Sequence, residues 1–133
     1  MLDIDHFKKI NDRYGHASGD EAIVNTARIF KSSVRQTDIV ARFGGEEFII
    51  LLPGQNATDA LEVANKIGHA IRTTAWQEDT PPLTVSAGCA DVTMVNSQDK
   101  LLTLADDALY QAKRNGRDQC VIATPVKPMA AQA

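Results

Sequence analysis

The middle of the chain predicts a β-hairpin between helical segments. Two apolar runs, residues 39–43 and 48–52, flank the pair Gly44-Gly45, and Pro53-Gly54 follows the second run. Apolar runs joined by a glycine turn are typical of a hairpin, and the Pro-Gly pair ends its second strand. Helical patterns on both sides mean that helices must pack against this antiparallel unit, which favours an α+β fold.

The rest of the chain predicts the element order β-α-α-β-β-α-β-α-β. Residues 1–5 read as the end of a strand and residues 6–14 as a helix stopped by Gly15, with Ser18 expected to cap the second helix. Further strands are expected at residues 83–90 and 119–123. Apolar residues at helical spacing mark the second, third and fourth helices: Ile23, Ala27, Phe30 and Val34; Leu61, Ala64, Ile67 and Ile71; Leu101, Leu104 or Ala105, Ala108 and Ala112.

This order contains the βαββαβ unit of the ferredoxin-like fold, with extra helices and strands and a mostly antiparallel central sheet. In that unit the first strand pairs antiparallel with the second hairpin strand. The end of strand one then lies beside the start of the strand after the turn. We therefore expect Asp3 and Asp5 to face Glu46 and Glu47, although more than forty positions separate the two pairs in sequence.

Four carboxylates at one place repel one another unless a cation neutralises them. Hard oxygen ligands favour Mg²⁺ or Mn²⁺, and Mg²⁺ needs only one or two carboxylates when phosphate oxygens complete its shell. The alternative is that some of these acids face solvent or pair with Arg42 or Lys8. The pattern by itself leaves both readings open.

Two segments carry candidate phosphate-binding groups. Residues 5–8 open a helix directly after a strand, so free backbone N–H groups there could hold phosphate oxygens. Lys113 and Arg117 lie at the end of the fourth helix, where cations could bind further phosphates. The alternative for these two is a solvated helix end.

Composition excludes several classes of protein. A chain of 133 residues suits one domain, and 14 basic against 17 acidic residues give a formal net charge of −3. Such a chain is a poor candidate for sequence-independent nucleic-acid binding, which needs a basic face. Cys89 and Cys120 have no metal-type spacing and suit buried thiols in a reducing cytoplasm. No run approaches the about 20 apolar residues of a membrane span, so no membrane contact is expected within this segment.

The motifs together resemble the GGDEF family of diguanylate cyclases. Residues 44–48 match its signature in the GGEEF form, residues 3–12 match its first substrate segment, and residues 110–117 match its closing segment. Gly15-His16 and Gly19-Asp20 follow at the family's spacing. The resemblance covers residues 1–123, which are expected to form one domain with the sheet of nucleotide cyclases and polymerase palms. The family's usual opening segment is absent, and residues 124–133 are expected to be a disordered tail.

The resemblance implies a bacterial, cytoplasmic enzyme that condenses two GTP into cyclic di-GMP and two pyrophosphates with Mg²⁺ or Mn²⁺. Asp3, Glu46 and the Ile4 carbonyl correspond to metal ligands, and Glu46 is also the catalytic position nearest the attacking 3′-hydroxyl. The other substrate positions comprise the guanine readers Asn11 and Asp20, the phosphate loop Phe7 and Lys8, the cations Lys113 and Arg117, and the turn glycines Gly44 and Gly45.

The resemblance also implies regulation and pairing. Arg35 and Asp38 match the family's RxxD motif, which binds the product as an inhibitor; the alternative is a surface ion pair. One domain holds one GTP, so a transient homodimer is expected. Two rival functions remain: a non-catalytic module that binds GTP or cyclic di-GMP, and an inactive truncated fragment.

Overall fold

The computed structural model describes residues 1–74, 76 and 82–126, which form a five-stranded sheet with helices on both faces. The strands are β1 (Leu2–Ile4), β2 (Ile39–Gly44), β3 (Glu47–Leu51), β4 (Val85–Cys89) and β5 (Cys120–Ile122). The helices are α1 (Phe7–Tyr14), α2 (His16–Ser33), α3 (Ala57–Thr73) and α4 (Gln98–Arg114), with a short 3₁₀ turn at Val92–Met94.

The sheet confirms the predicted fold class. Its strand order is β2-β3-β1-β4-β5. Only the β4–β5 pair is parallel; β1 pairs antiparallel with both β3 and β4, and β2 with β3. The expected pairing of β1 with the second hairpin strand is therefore confirmed, in the register Leu2 with Phe48 and Asp3 with Glu47.

Alternation along the strands separates two faces of the sheet. Leu2, Ile4 and Phe48 join the main core with residues of α2 and α3. Within that core the rings of Phe30 and Phe48 meet edge to face, with centroids 5.1 Å apart. On the opposite face, Met1 and Ile49 pack against α4. Asp3 has the same strand parity as Met1 and therefore also faces α4.

Gly88 sets how closely α4 approaches the sheet. A Cβ atom at this position would lie 2.2 Å from the carbonyl oxygen of Ala105 and 2.3 Å from the amide nitrogen of Leu109. The backbone of α4 thus rests directly on β4, which only glycine permits. This contact fixes α4 over β4 and the neighbouring β5 and so places its carboxyl end near Asp3.

An apolar cavity of about 240 Å³ lies beside Met1, between the carboxyl ends of β3 and β4. Leu51, Ala60, Ala90 and Leu101 are among its lining residues. Asp3 pairs with Glu47, the first residue of β3, whereas the cavity lies where β3 ends. The cavity and the carboxylates therefore lie towards opposite ends of the strands.

Some element boundaries differ from the sequence expectation. The second helix begins at His16, so Ser18 is not its cap; Gly15 takes that place with a φ of 89°, and the Gly19 amide donates to the Gly15 carbonyl at 3.2 Å. A glycine adopts such a backbone without strain.

Of the expected tail, residues 124–126 are described, and the Val126 amide donates to the Met94 carbonyl at 3.0 Å. The rest of the expected tail, residues 127–133, lies outside the described residues. In the described part of the chain, no helix has the length and apolar character needed to cross a membrane.

Candidate active site

The structure brings Asp3 to the hairpin turn, as the topology predicts. Asp3 pairs with Glu47 across the β1–β3 ladder, and the Ile4 amide donates to the Glu46 carbonyl at 3.3 Å. Asp3 is 4% exposed, whereas Glu46 and Glu47 are half-buried. Three carboxylates and the end of β1 therefore share one edge of the sheet.

Asp3 is held in an environment that penalises its charge. Burial raises the pKa of the Asp3 carboxyl, a hydrogen bond and the charge of Lys113 oppose that rise, and Glu46 and Glu47 add to it. The Lys113 ammonium donates to Oδ2. Oδ1 is buried and accepts no hydrogen bond from the described residues. A buried carboxylate oxygen without a partner is costly, and this oxygen is available to a cation.

Asp5 does not join this group, contrary to the sequence expectation. Its carboxylate accepts from the hydroxyls of Ser86 at 2.6 Å and Thr84 at 2.7 Å, and from the backbone amide of Asp118 at 3.0 Å. The physical reason is the neighbouring strand. Thr84, just before β4, and Ser86, on β4, offer two hydroxyl groups on the α4 side of the sheet. Sequence reasoning missed both, although Thr84 and Ser86 alternate with buried apolar residues and so share one face.

The residues at the turn could supply only some of the ligands of a magnesium or manganese ion. No three His, Cys, Asp or Glu side chains among residues 1–74, 76 and 82–126 are grouped so that they could hold a metal by themselves. Asp3 nevertheless offers a free, buried oxygen, and the neighbouring acids Glu46 and Glu47 offer carboxylate oxygens, which are hard metal ligands. Mg²⁺ is commonly held by one or two carboxylates plus substrate phosphates, so this donor set fits an ion that arrives with a nucleotide.

The glycine turn leaves open space. An added Cβ at Gly44 or Gly45 would meet no atom within 4 Å, and Gly45 has a φ of 44°. Arg42 donates from Nε to the Gly45 carbonyl at 2.8 Å. The described hydrogen bond of Arg42 therefore supports the turn and does not neutralise the acids.

The start of α1 leaves backbone donors available. Lys9 and Ile10 donate to the His6 carbonyl, while none of the described hydrogen bonds uses the amides of Phe7 or Lys8. Lys8 is exposed and Phe7 is half-buried. The structure thus presents two amides and a cation directly after β1, where the sequence predicted a phosphate loop.

Gly19 lets Asn11, one of the two predicted base-reading residues, pack next to the residue that precedes the other, Asp20. A Cβ at Gly19 would lie 1.7 Å from Oδ1 of Asn11 and 3.3 Å from Cζ of Phe7. Asn11 therefore packs against Gly19, the residue that precedes Asp20. Asp20 itself is exposed.

The carboxyl end of α4 supplies the basic groups. Lys113 pairs with Asp3, and Arg117 is exposed. Gly116, Arg117 and Asp118 have φ values of 116°, 66° and 48°, so the chain reverses sharply before β5. Of the two predicted phosphate cations, Lys113 is thus already engaged with an acid and Arg117 faces solvent.

Arg35 and Asp38 lie apart from this site, at the other end of β2. The Arg35 guanidinium donates to the Asp38 carboxylate at 2.9 Å and to the Pro53 carbonyl at 2.8 Å. Hydrogen bonds from Arg35 hold the pKa of the Asp38 carboxyl below its usual value. The pair lines an open cavity of about 370 Å³ together with Gln55, Glu62 and Lys66. The described contacts of the guanidinium use Nε and Nη2 and leave Nη1 without a partner among the described residues.

Several curated proteins with similar sequences are diguanylate cyclases. Diguanylate cyclase A of Treponema denticola is 38% identical over 133 residues, which cover 98% of this chain and 36% of that protein. Diguanylate cyclase DgcM of Escherichia coli K12 is 42% identical over 123 residues, covering 92% of this chain and 30% of that protein. The chain thus spans less than half the length of each relative.

Solved structures agree with these sequences. The active GGEEF domain of a diguanylate cyclase from Vibrio cholerae superposes with a TM-score of 0.87 at 34% identity, covering 94% of this chain and 81% of that one. The GGDEF domain of DgcB from Caulobacter crescentus, in complex with c-di-GMP, gives a TM-score of 0.83 at 30% identity, with coverage of 91% and 74%. The family model for the GGDEF domain of diguanylate cyclases matches residues 1–119, and the chain belongs to that family.

Proposed function

We propose that this domain condenses two GTP molecules into cyclic di-GMP, releasing two pyrophosphates. The observation that carries the proposal is the buried, unpartnered Oδ1 of Asp3 beside Glu46 at the glycine turn. A structural carboxylate would have its lone pairs satisfied, as those of Asp5 are. The similarity to named diguanylate cyclases supports the same activity. The domain would act in the bacterial cytoplasm, where GTP is available.

Different side chains would bind the metal, orient the attacking hydroxyl and balance the charge of the phosphates. Asp3, the Ile4 carbonyl and Glu46 would hold Mg²⁺ or Mn²⁺, which would supply charge neutralisation at the phosphates and a more acidic 3′-hydroxyl. Glu46 orients that hydroxyl for attack on the α-phosphate of the other GTP. Lys113 and Arg117 balance the negative charge of the phosphates.

Lys113 has a second part in this scheme. In the absence of nucleotide its ammonium pairs with Asp3, so the buried carboxylate is not left uncompensated. When a cation and phosphates bind, Lys113 can exchange Asp3 for a phosphate oxygen. Charge at the site therefore stays balanced in both states.

A direct assay tests the activity. The protein is incubated with GTP and Mg²⁺, and the nucleotides are separated by chromatography. Cyclic di-GMP is the expected product. GTP binding without product would support the rival binding module, and neither binding nor product would support an inactive fragment.

Pairing of two domains follows from the reaction. One domain presents one GTP, so the attacking hydroxyl and the attacked phosphate must come from two copies that meet face to face. The rate of product formation should therefore rise faster than linearly with protein concentration. A strictly linear rate across the micromolar range would contradict a transient homodimer.

Base selection is assigned to Asn11 and Asp20. The Asp20 carboxylate can accept from N1–H and the amino group of guanine, which adenine cannot offer. Asp20→Ala should weaken GTP binding by about tenfold or more while leaving the melting temperature unchanged, because Asp20 is exposed. Asp12→Ala, at another exposed acid on the preceding helix, is the control. Equal binding of ATP and GTP to the parent protein, measured by calorimetry, would overturn this role.

Product inhibition is assigned to Arg35 and Asp38. A guanine can take two donors from an arginine at O6 and N7, and Arg35, whose Nη1 takes part in none of the described hydrogen bonds, lines the adjoining cavity. Binding there would inhibit by crosslinking domains so that their active sites cannot meet. Arg35→Ala and Asp38→Ala should each weaken inhibition by cyclic di-GMP and spare the initial rate. Inhibition of both variants at the parental concentration would leave the pair as a surface ion pair.

A further inference from the structure

Asp5 is a buried carboxylate that the proposed reaction does not use. It is 5% exposed, yet both of its oxygens are satisfied by hydrogen-bond donors. Two donors are hydroxyls next to and on β4, and the third is the backbone amide of Asp118 in the turn between α4 and β5. Asp5 thus connects β1 to a segment more than a hundred residues away in sequence.

The turn that Asp5 contacts has an unusual backbone. Arg117 and Asp118 both have positive φ values, although neither is glycine, and such residues persist only where their surroundings hold them. The amide of Arg117 donates to the Ala112 carbonyl at 3.0 Å, and the Gln119 side chain donates to the Arg117 carbonyl at 3.0 Å. The bond from the Asp118 amide to Asp5 is the described contact that ties this turn to β1.

β1 therefore contacts the basic segment twice, through carboxylates on the same face of one strand. Asp3 receives the Lys113 ammonium, and Asp5 receives the Asp118 amide. Arg117 lies between these two attachments in sequence and is itself exposed. The Asp5 contact is therefore one of the bonds that hold the backbone next to Arg117 in place.

We propose that Asp5 is a positioning residue: its carboxylate fixes the turn at residues 116–118 and so directs Arg117 towards the phosphates of the nucleotide. The proposal rests on the proposed function, because it assumes that a nucleotide triphosphate binds beside Asp3. It assigns Asp5 to the basic segment and not to the metal, although Asp5 is only two residues from Asp3.

Calorimetric binding of GTP and of guanosine, which lacks phosphates, tests the proposal. Asp5→Ala should weaken GTP binding by about tenfold and leave guanosine binding unchanged, since only the phosphate contacts depend on the turn. The double variant Asp5→Ala with Arg117→Ala should bind GTP no more weakly than Arg117→Ala alone. Additive losses, or an equal loss for guanosine, would overturn the positioning role.

Two further variants keep the test decisive. Asp5→Asn retains an acceptor for the Asp118 amide and should keep GTP binding and turnover near the parental values; loss of turnover in a folded Asp5→Asn protein would make Asp5 a metal ligand instead. If Asp5→Ala fails to fold, Thr84→Val removes one donor to the same oxygen and should weaken GTP binding in the same selective way. Parental GTP binding by Thr84→Val would then overturn the proposal.

Asp118→Asn is the matched control. The contact with Asp5 uses the backbone amide, which the substitution keeps, and asparagine tolerates the positive φ of this position. The substitution removes only the exposed charge that pairs with Arg72. GTP binding should be parental, and a loss as large as that of Asp5→Ala would contradict the role given to the backbone contact. A parent protein that binds GTP without forming product would refute the proposed function and leave the binding test of Asp5 intact.

Discussion

Helix α4 covers one face of the sheet, and the two ends of that face differ in polarity and in the type of contact. The polar end consists of Asp3, Asp5, Thr84, Ser86 and Lys113. The apolar end consists of Met1, Ile49, Gly88, Ala90, Ala105 and Leu109. At the polar end the contacts are hydrogen bonds between charged and hydroxyl groups, whereas at the apolar end backbone rests on backbone beside an apolar cavity.

The difference shows how a buried charge can be tolerated in a small domain. Burying a carboxylate is costly even when it is paired, and at the polar end Lys113 pairs with Asp3 while Oδ1 accepts no described hydrogen bond. The close packing at Gly88 holds α4 in place, so Lys113 remains opposite Asp3. Packing at one end of the face thus supports a costly arrangement at the other end.

The largest expected effect comes from removing a charge at the polar end. Asp3→Asn and Glu46→Gln should each lower turnover by at least about a hundredfold, because the metal loses a carboxylate ligand. The free energy of unfolding should stay within about 1 kcal/mol of the parent or rise, since a like charge leaves the group. Product chromatography and urea denaturation measure the two quantities. Asp107→Asn, at an exposed acid on α4, is the control, and near-parental turnover in Glu46→Gln would refute the metal assignment.

The second effect comes from the apolar end. Gly88→Ala should lower the free energy of unfolding by about 2–3 kcal/mol, because its Cβ would collide with backbone atoms of α4. The displaced helix should also weaken GTP binding through Lys113. Gly68→Ala is the matched control: its Cβ would meet only Nη1 of Arg72, at 3.3 Å, and alanine should stabilise the middle of α3 by up to about 1 kcal/mol. Equal stability of the two variants in urea denaturation would remove the basis of the comparison.

The sequence predicted more of the fold than of the site. The hairpin glycines, the helical periodicity and the βαββαβ order predicted the element order and the pairing of β1 with β3. These features are local or follow from topology. The start of α2 at His16 was missed because a glycine with positive φ and a serine two positions later are both plausible helix starts in sequence.

Sequence by itself determined the family and predicted which residues would carry the chemistry, since residues 3–12 and 44–48 keep the family's motifs at the family's spacing. Only the tertiary structure decided that Asp3 and Asp5, alike in sequence, have different partners. The reason is that a carboxylate's environment depends on what neighbouring elements present to it. α4 brings a cation to Asp3 and leaves one oxygen free, whereas Thr84, Ser86 on β4 and the turn before β5 bring three donors to Asp5 and satisfy it.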